Sequence, residues 1–286
     1  MDKSQIIVPK REQKEFDPQT TPSPGTRGHC NLCGFYQDLT DSHVFPRSTG
    51  NSSVFRAYGY DATSTGKFEN LIPRRFANGI SFRTLCADCN NALGGQEDQI
   101  VKRLFADVRA ALKPSPLIVS DPHWLSTKPI RLFRAILAYV ATANDKGPKS
   151  RLDDEIISIF KGQKTAKQCA FRVYYWPYTG PWLTMIRDIQ ISYNFFKDPT
   201  WLNVIKFKPL GFAITNRSHL FNLPCLNDYF GKRIDDYGQI PIWRTHIERD
   251  IHWPANPGQN GAVLYNSASY SFVAAASWRN IRPRLR

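Results

Sequence analysis

The sequence contains no run of about 18 apolar residues, so no transmembrane helix is expected. Met1 to Asp17 are polar and mixed in charge and lack the apolar stretch of a signal peptide, which argues against export and for a cytoplasmic protein. No internal repeat and no low-complexity tract is found. Acidic residues are scarce: 24 Asp and Glu stand against 38 Lys and Arg, a net charge of +14. Such an excess favours a polyanionic partner, because neutralising phosphates releases counterions and supplies most non-specific nucleic-acid affinity. Basic charge also aids solubility, so charge alone does not decide the partner. Cysteines number only six.

What is present is enough for a real core. Hydrophobic residues make up 42% and aromatics 13% of 286 residues, a length that allows one large or two moderate domains. Four of the cysteines fall in two pairs, Cys30-Asn31-Leu32-Cys33 and Cys86-Ala87-Asp88-Cys89. Two such knuckles have the spacing of a closed tetrahedral zinc site, and they suit a reducing compartment. His29 is a rival ligand beside Cys30, but four thiolates already fill the shell. Cys169 and Cys225 read as small buried hydrophobes.

The chain divides by composition. Residues 1–27 read as a flexible arm, with Pro18, Pro22 and Pro24 against regular structure and Lys10, Arg11 and Lys14 able to touch backbone phosphates. Residues 28–113 hold the knuckles, a short strand at His43–Phe45, a polar loop over 47–67, a return at 68–72 and a half-buried strand over 80–85. Ile100, Val101, Leu104, Phe105, Val108 and Leu112 place one apolar face on a helix that Pro114 and Pro116 stop. Residues 114–164 read as a helical connector. One helix is capped by Ser126 or Thr127, with Pro129 near its start; a shorter one covers Asp153 to Phe160. Residues 165–286 are richer in β-branched and aromatic residues, with strands expected at 170–176, 185–196, 203–214, 240–247 and 270–278. The fold class is α+β, with a mixed, β-rich C-terminal domain.

Between the knuckles lie Asp41-Ser42-His43-Val44-Phe45-Pro46 and Asn70-Leu71, and Asn90-Asn91 follows the second knuckle. With Cys30, Cys33 and Leu85-Cys86-Ala87-Asp88-Cys89, this segment resembles an HNH (ββα-metal) endonuclease with a structural zinc. The resemblance covers about the first quarter of the chain. It implies phosphodiester hydrolysis with one Mg2+ or Mn2+ ion. It puts His43 in the place of the general base, Asn70 in that of the middle Asn that orients it, and Asn90 in that of the final His, a metal ligand. Some relatives, phage Holliday-junction resolvases among them, carry Asn there. An amide oxygen is a hard ligand suited to Mg2+. The family's acidic ligand before the base is replaced by Ser42, with Asp41 one residue back. Strand neighbours point to opposite faces, so Asp41 shares a face with His43 and Ser42 does not. Three outcomes stay open: a bulge brings Asp41 to the metal, Ser42 binds it weakly, or Asp98 or Glu97 supplies the charge. Asn90 and Asn91 also suit a helix cap.

Arg47, Arg74 and Arg75 flank the motif as candidate phosphate contacts, and Arg279, Arg282, Arg284 and Arg286 form a basic tail. His246 to His252 carries metal-type residues in no standard motif. Tyr174, Tyr175, Trp176, Tyr178 and Trp182 suit a core as well as base stacking. These readings converge on a metal-dependent DNA endonuclease, in a restriction or anti-phage context, with zinc as structural ion, Mg2+ or Mn2+ as catalytic ion and double-stranded DNA as partner. No membrane partner is expected, and a homodimer stays open. The alternatives are a zinc-containing nucleic-acid-binding module without catalysis, and a homing, mobile-element or RNA-directed nuclease.

Overall fold

The computed structural model describes residues 27–60, 72–114, 121–145, 147, 150–193, 200–255, 261–264 and 271–276. Residues 1–26 of the arm expected over 1–27, Asn70 and the C-terminal arginines lie outside the described residues, whereas Arg27 is paired in a strand.

The architecture is mixed α+β. β1 (Arg27–His29), β2 (Tyr36–His43) and β5 (Ser81–Cys86) form a three-stranded antiparallel sheet in the order β1-β2-β5. The short strand expected at His43–Phe45 is thus a longer one that ends at His43, and Val44 and Phe45 leave it to enter the core. β3 (Phe55–Gly59) and β4 (Arg74–Phe76), although between the knuckles in sequence, belong to a second, eight-stranded sheet. They join it through β13 (Phe272–Ala276), which also pairs with β8 (Leu183–Tyr193). β9 (Thr200–Phe207), β10 (Leu210–Thr215) and β7 (Arg172–Pro177) complete its order, and β12 (Gly261–Leu264) pairs with β8. The single strand expected at 203–214 is a hairpin instead. Lys208 and Pro209 form its turn, so the apolar runs on either side fold back on each other.

The remaining strands, β6 (His123–Thr127) and β11 (Gly238–Ile242), pair with each other. β6 takes up Thr127, which therefore does not cap the following helix; Lys128 stands at the N-cap and makes no side-chain bond there. The expected strand at 240–247 stops at Ile242 and gives way to a tight turn at Arg244–His246.

Among the described residues four α-helices follow in chain order: α1 (Ala87–Ala92), α2 (Asp98–Ala111), α3 (Pro129–Thr142) and α4 (Arg151–Phe160). α2 buries Val101, Leu104, Phe105 and Val108, the face its periodicity specifies. α3 is buried nearly all round, so it runs through the centre of the molecule. One continuous core extends from Cys30 and Leu32 through Phe105, Phe133 and Tyr139 to Phe207 and Phe272. Tyr174, Trp176 and Tyr178 are buried in a second cluster, as core residues. Among the described residues no helix is long and apolar enough to cross a membrane.

A buried polar path ties the two sheets together. Asn31, in the first knuckle, donates to Ala141 O (2.8 Å) and Asn144 O (2.7 Å) at the end of α3. Asn144 Nδ2 reaches Asp153 Oδ2 (3.3 Å), and that oxygen also accepts from Ser150 N (3.0 Å) and Ser150 Oγ (2.9 Å) in the capping box of α4. Arg187 Nη2 then donates to Asp153 Oδ1 at 2.8 Å, with both side chains 0–1% exposed. Arg187 and Asp188 together oppose Asn203 at a bulge in β8, and Asp188 N donates to Asn203 Oδ1 at 2.9 Å. Replacing Arg187 by Met leaves the Asp153 charge buried without its cation. That variant is expected to lose about 3–5 kcal/mol of stability in urea unfolding, against less than 1 kcal/mol for an exposed pair such as Arg27–Asp38.

Candidate active site and metal centre

The cysteine knuckles meet. The Sγ atoms of Cys30, Cys33, Cys86 and Cys89 all lie within 4.8 Å of one another. Cys33 Sγ and Cys86 Sγ are 3.9 Å apart, too far for a disulfide and close to the roughly 3.8 Å edge of a tetrahedral zinc-thiolate site. The first knuckle is a turn closed by Gly34 N to Cys30 O (2.7 Å) and Cys30 N to Phe35 O (2.9 Å). Gly34 takes φ +72° there, a conformation that favours glycine. The second knuckle starts α1: Cys86 is its N-cap and its sulfur accepts from Cys89 N at 3.5 Å. Asn90 and Asn91 are thus interior to α1 and not its cap.

Without a metal these thiols cannot all ionise. The Cys89 thiol and the turn N–H groups stabilise a Cys30 thiolate and bring it down to about 4. Hydrogen bonding to that sulfur, burial and the nearby anion push Cys89 far up, and burial raises Cys86 to about 11. A divalent cation relieves this conflict by holding all four as thiolates. Four cysteines in this arrangement can hold a metal such as zinc. Among the described residues this is the one such cluster, and His246 to His252 forms none.

The centre positions a cleft. β2 and β5 pair with Thr40 opposite Leu85 but Asp41 opposite Arg83, so Thr84 is an extra residue in β5. Its backbone carbonyl serves Asn31 N (2.9 Å) and its hydroxyl donates to Thr142 O (2.9 Å), which docks the bulge on the end of α3. Beyond the bulge, Asp41 and His43 share one face of β2, and both line an open cleft of about 220 Å³. Ser42 is fully buried on the other face and donates to Thr40 O at 3.3 Å; it does not line the cleft. The alternation of a strand makes this unavoidable, and it removes Ser42 from the ligand candidates.

Asn90 reaches the same cleft from α1. Its Nδ2 donates to Thr40 Oγ1 and to Asp41 O, each at 3.2 Å. The amide nitrogen therefore faces β2, and the opposite atom, Oδ1, is the one left for a ligand in the cleft.

Asp98 completes the set. It lies eight residues after Asn90, and in an α-helix that spacing overshoots two turns by about 80°. Leu93–Glu97 form a π-helical turn between α1 and α2. A π-bulge accommodates one extra residue, so eight residues span what seven span in an α-helix, and Asp98 returns to the face of Asn90. Burial raises the Asp98 carboxyl to about 6, against the opposing hydrogen bond from Tyr139 Oη at 2.6 Å. Glu97 turns away from the cleft; it is buried against Arg134 (3.1 Å) and Arg131 (3.7 Å).

His43 is held from the loop before β5. Its Nε2 is 3.0 Å from Asn78 O. A carbonyl only accepts, so Nε2 carries the hydrogen and Nδ1 keeps its lone pair. Sequence reasoning did not single out Asn78, whose role is played by its backbone. It also missed Asn51, which is buried and clamps the same loop by donating to Phe45 O (2.8 Å) and Ile80 O (3.2 Å) and accepting from Ile80 N (2.7 Å). Gly79, at φ +83°, passes so close to Asn51 that a Cβ would lie 2.1 Å from its carbonyl oxygen. A polar residue followed by a glycine was the available signal, but many turns share it.

The basic residues divide. Arg47 lines the cleft. Arg83 pairs with Asp41 at 3.1 Å. Arg74 lies over the rings of Phe76 and Phe82, 4.8 and 5.2 Å from their centroids, and Arg75 is exposed on β4; neither lines the cleft.

Comparison with protein-family models, with curated proteins and with solved structures found no match. The site therefore stands on its own geometry.

Metal analysis of protein purified without chelator should find one zinc per chain. Cys86→Ser should lose it, and chelation of the parent should lower its melting temperature. Full thermal stability in a fully metal-free protein would overturn the structural role of the cluster.

Proposed function

We propose that this chain is a metal-dependent endonuclease of the HNH (ββα-metal) type that hydrolyses DNA phosphodiester bonds, in a restriction or anti-phage role. The observation that carries this reading is the convergence of Asp41, His43, Asn90 and Asp98 on one cleft, carried by β2, α1 and the start of α2 beside a four-cysteine cluster. No single residue type is diagnostic. A base, a neutral oxygen donor and two carboxylates in one cleft are the parts that hydrolysis of a phosphodiester needs.

In this reading Nδ1 of His43 takes a proton from the attacking water. The Asn78 carbonyl on Nε2 fixes the tautomer and partly offsets the positive charge that develops on the ring. Asp41, Asp98 and the amide oxygen of Asn90 offer hard donors for a divalent cation. When bound, Mg2+ or Mn2+ would stabilise charge on the phosphate and on the leaving oxygen. Tyr139 orients the Asp98 carboxylate through its hydroxyl. Arg47, at the edge of the cleft, is placed for the phosphate backbone. The β-rich region from residue 165 onward would recognise the target or an activating signal.

A second reading, a nucleic-acid-binding module without catalysis, draws on one observation. Asp41 is already neutralised by Arg83, as a residue released from metal binding would be. One assay separates the two readings. Purified protein and His43→Ala are incubated with plasmid DNA in EDTA, then in Mg2+ or Mn2+. Cleavage should require the added ion and should fall about 100- to 10,000-fold in His43→Ala, with zinc content unchanged. Asp98→Asn should raise the metal concentration needed for half-maximal cleavage. Binding without cleavage in any metal favours the module, and full activity of His43→Ala sinks the nuclease assignment.

A further inference from the structure

A second and larger cleft, of about 480 Å³, lies at the other end of α2. Trp124, Tyr229, Trp243 and His246 line it, with Asn222 and Thr245. Its walls are built in advance. Trp124 stands on β6 directly opposite Pro241 of β11. The turn carrying Trp243 and His246 is pinned by the carboxylate of Asp121, which accepts from Arg244 N (2.9 Å), Thr245 N (3.3 Å) and Thr245 Oγ1 (2.9 Å). Arg244 then anchors the turn to α2 by donating through Nε to Ala111 O at 3.0 Å.

The lining has a chemical bias. Trp124 meets Tyr229 edge-on at 6.4 Å, and the ring of Trp243 lies 5.8 Å from that of His246 at only 30°. Aromatic faces held rigidly beside one another suit a flat ring as ligand. Trp124 nevertheless remains 53% exposed. Polar groups sit around the aromatic walls: the Asn222 amide, the Thr245 hydroxyl and the His246 imidazole, whose Nδ1 is buried without a hydrogen-bond partner. Among the described residues no carboxylate lines the cleft, so an ammonium ligand would lack a counter-charge. The volume is within the range of roughly 300–1,000 Å³ usual for ligand sites.

Position points the same way. α2 starts with Asp98 in the first cleft and ends at Ala111, to which the second cleft is anchored. Its 14 residues span about 21 Å, so the two clefts are separated by about six nucleotide steps of a helical strand. In a chain of net charge +14, a strand whose phosphate backbone lies at the first cleft can present a base to the second.

We infer that the aromatic cleft between Trp124 and Trp243 binds a single nucleobase unstacked from its strand, stacking on its faces and reading its edge through Asn222, Thr245 and His246. Unstacking costs a few kcal/mol, which stacking on protein aromatics repays in part; a base that is unpaired, damaged or modified costs least to extract. The inference rests on nucleic acid as the partner, as proposed above, but not on hydrolysis.

The test is made in EDTA, so that no cleavage is required. A single-stranded oligonucleotide carrying 2-aminopurine is titrated into the full chain and into Trp124→Ala and Trp243→Ala, with zinc content and circular dichroism confirming that both variants fold. A matched oligonucleotide with an abasic site at the probe position is run beside it. The 2-aminopurine emission should change on binding the parent protein. Each variant should bind about tenfold more weakly, and the abasic site should cost the parent a similar factor while costing the variants little more. Equal affinity in all three proteins overturns the inference, as does an abasic oligonucleotide that binds the parent undiminished. So does a proline-rich peptide that binds the parent and not the variants while oligonucleotide affinity is unmoved, which would assign the cleft to a polyproline ligand. A failure of plasmid cleavage leaves this readout intact, so the two proposals fail separately.

Discussion

Four sulfur atoms arriving at one point from two turns, Cys33 and Cys86 being 53 residues apart, set the geometry on which the first cleft depends. The knuckles fix where β2 starts and where β5 passes into α1. Everything that lines the cleft is then counted from those anchors: Asp41 and His43 outward along β2, and Asn90 one residue beyond Cys89. A small unit of two strands and a short helix buries too little surface to hold such positions alone. Here it has two supports. The cysteine cluster is one. The other is the end of α3, whose last carbonyls are taken by Asn31 and Thr84 from the knuckle and the bulge.

Two irregularities do the aiming. The extra residue in β5 lets Thr84 leave the ladder and bind α3. The π-turn at Leu93–Glu97 rotates Asp98 onto the face of Asn90 and sends Glu97 into a buried pair with Arg134. Regular geometry would undo both. An uninterrupted α-helix would carry Asp98 to one side of the cleft, and a bulge-free β5 would break the contact with α3. Such departures are retained where a site needs them, since each leaves backbone groups that other parts of the fold must satisfy.

The β-rich region is not simply appended to this unit. β3 and β4 leave the segment between the knuckles to pair in the large sheet, and the path from Asn31 through Asn144 and Asp153 to Arg187 runs without interruption through buried side chains. The second cleft is likewise bound to α2 through Arg244. The two clefts are therefore fixed relative to one another by a helix and its anchors rather than by a flexible linker. A nucleic acid that touches both would do so at one set spacing.

Some of this was legible in the residues themselves. The CxxC pairs announced a metal cluster, because that spacing aims two thiolates from one turn. Apolar periodicity located α2, Pro129 marked the start of α3, and strand alternation placed Asp41 and His43 together and Ser42 apart. Those are local properties, settled by bond geometry over a few residues. The rest depended on contacts between distant segments. Nothing near His43 identifies Asn78 as its partner, since a backbone carbonyl has no signature in sequence. The choice between Asp98 and Glu97 turned on a π-turn that composition does not reveal. The aromatic cleft joins residues from 124 to 246, brought together by the pairing of β6 with β11. Residue types and their local spacing limit the chemistry that the chain can hold, whereas which groups share a cleft follows from strand pairings and packing between distant segments that no local pattern encodes.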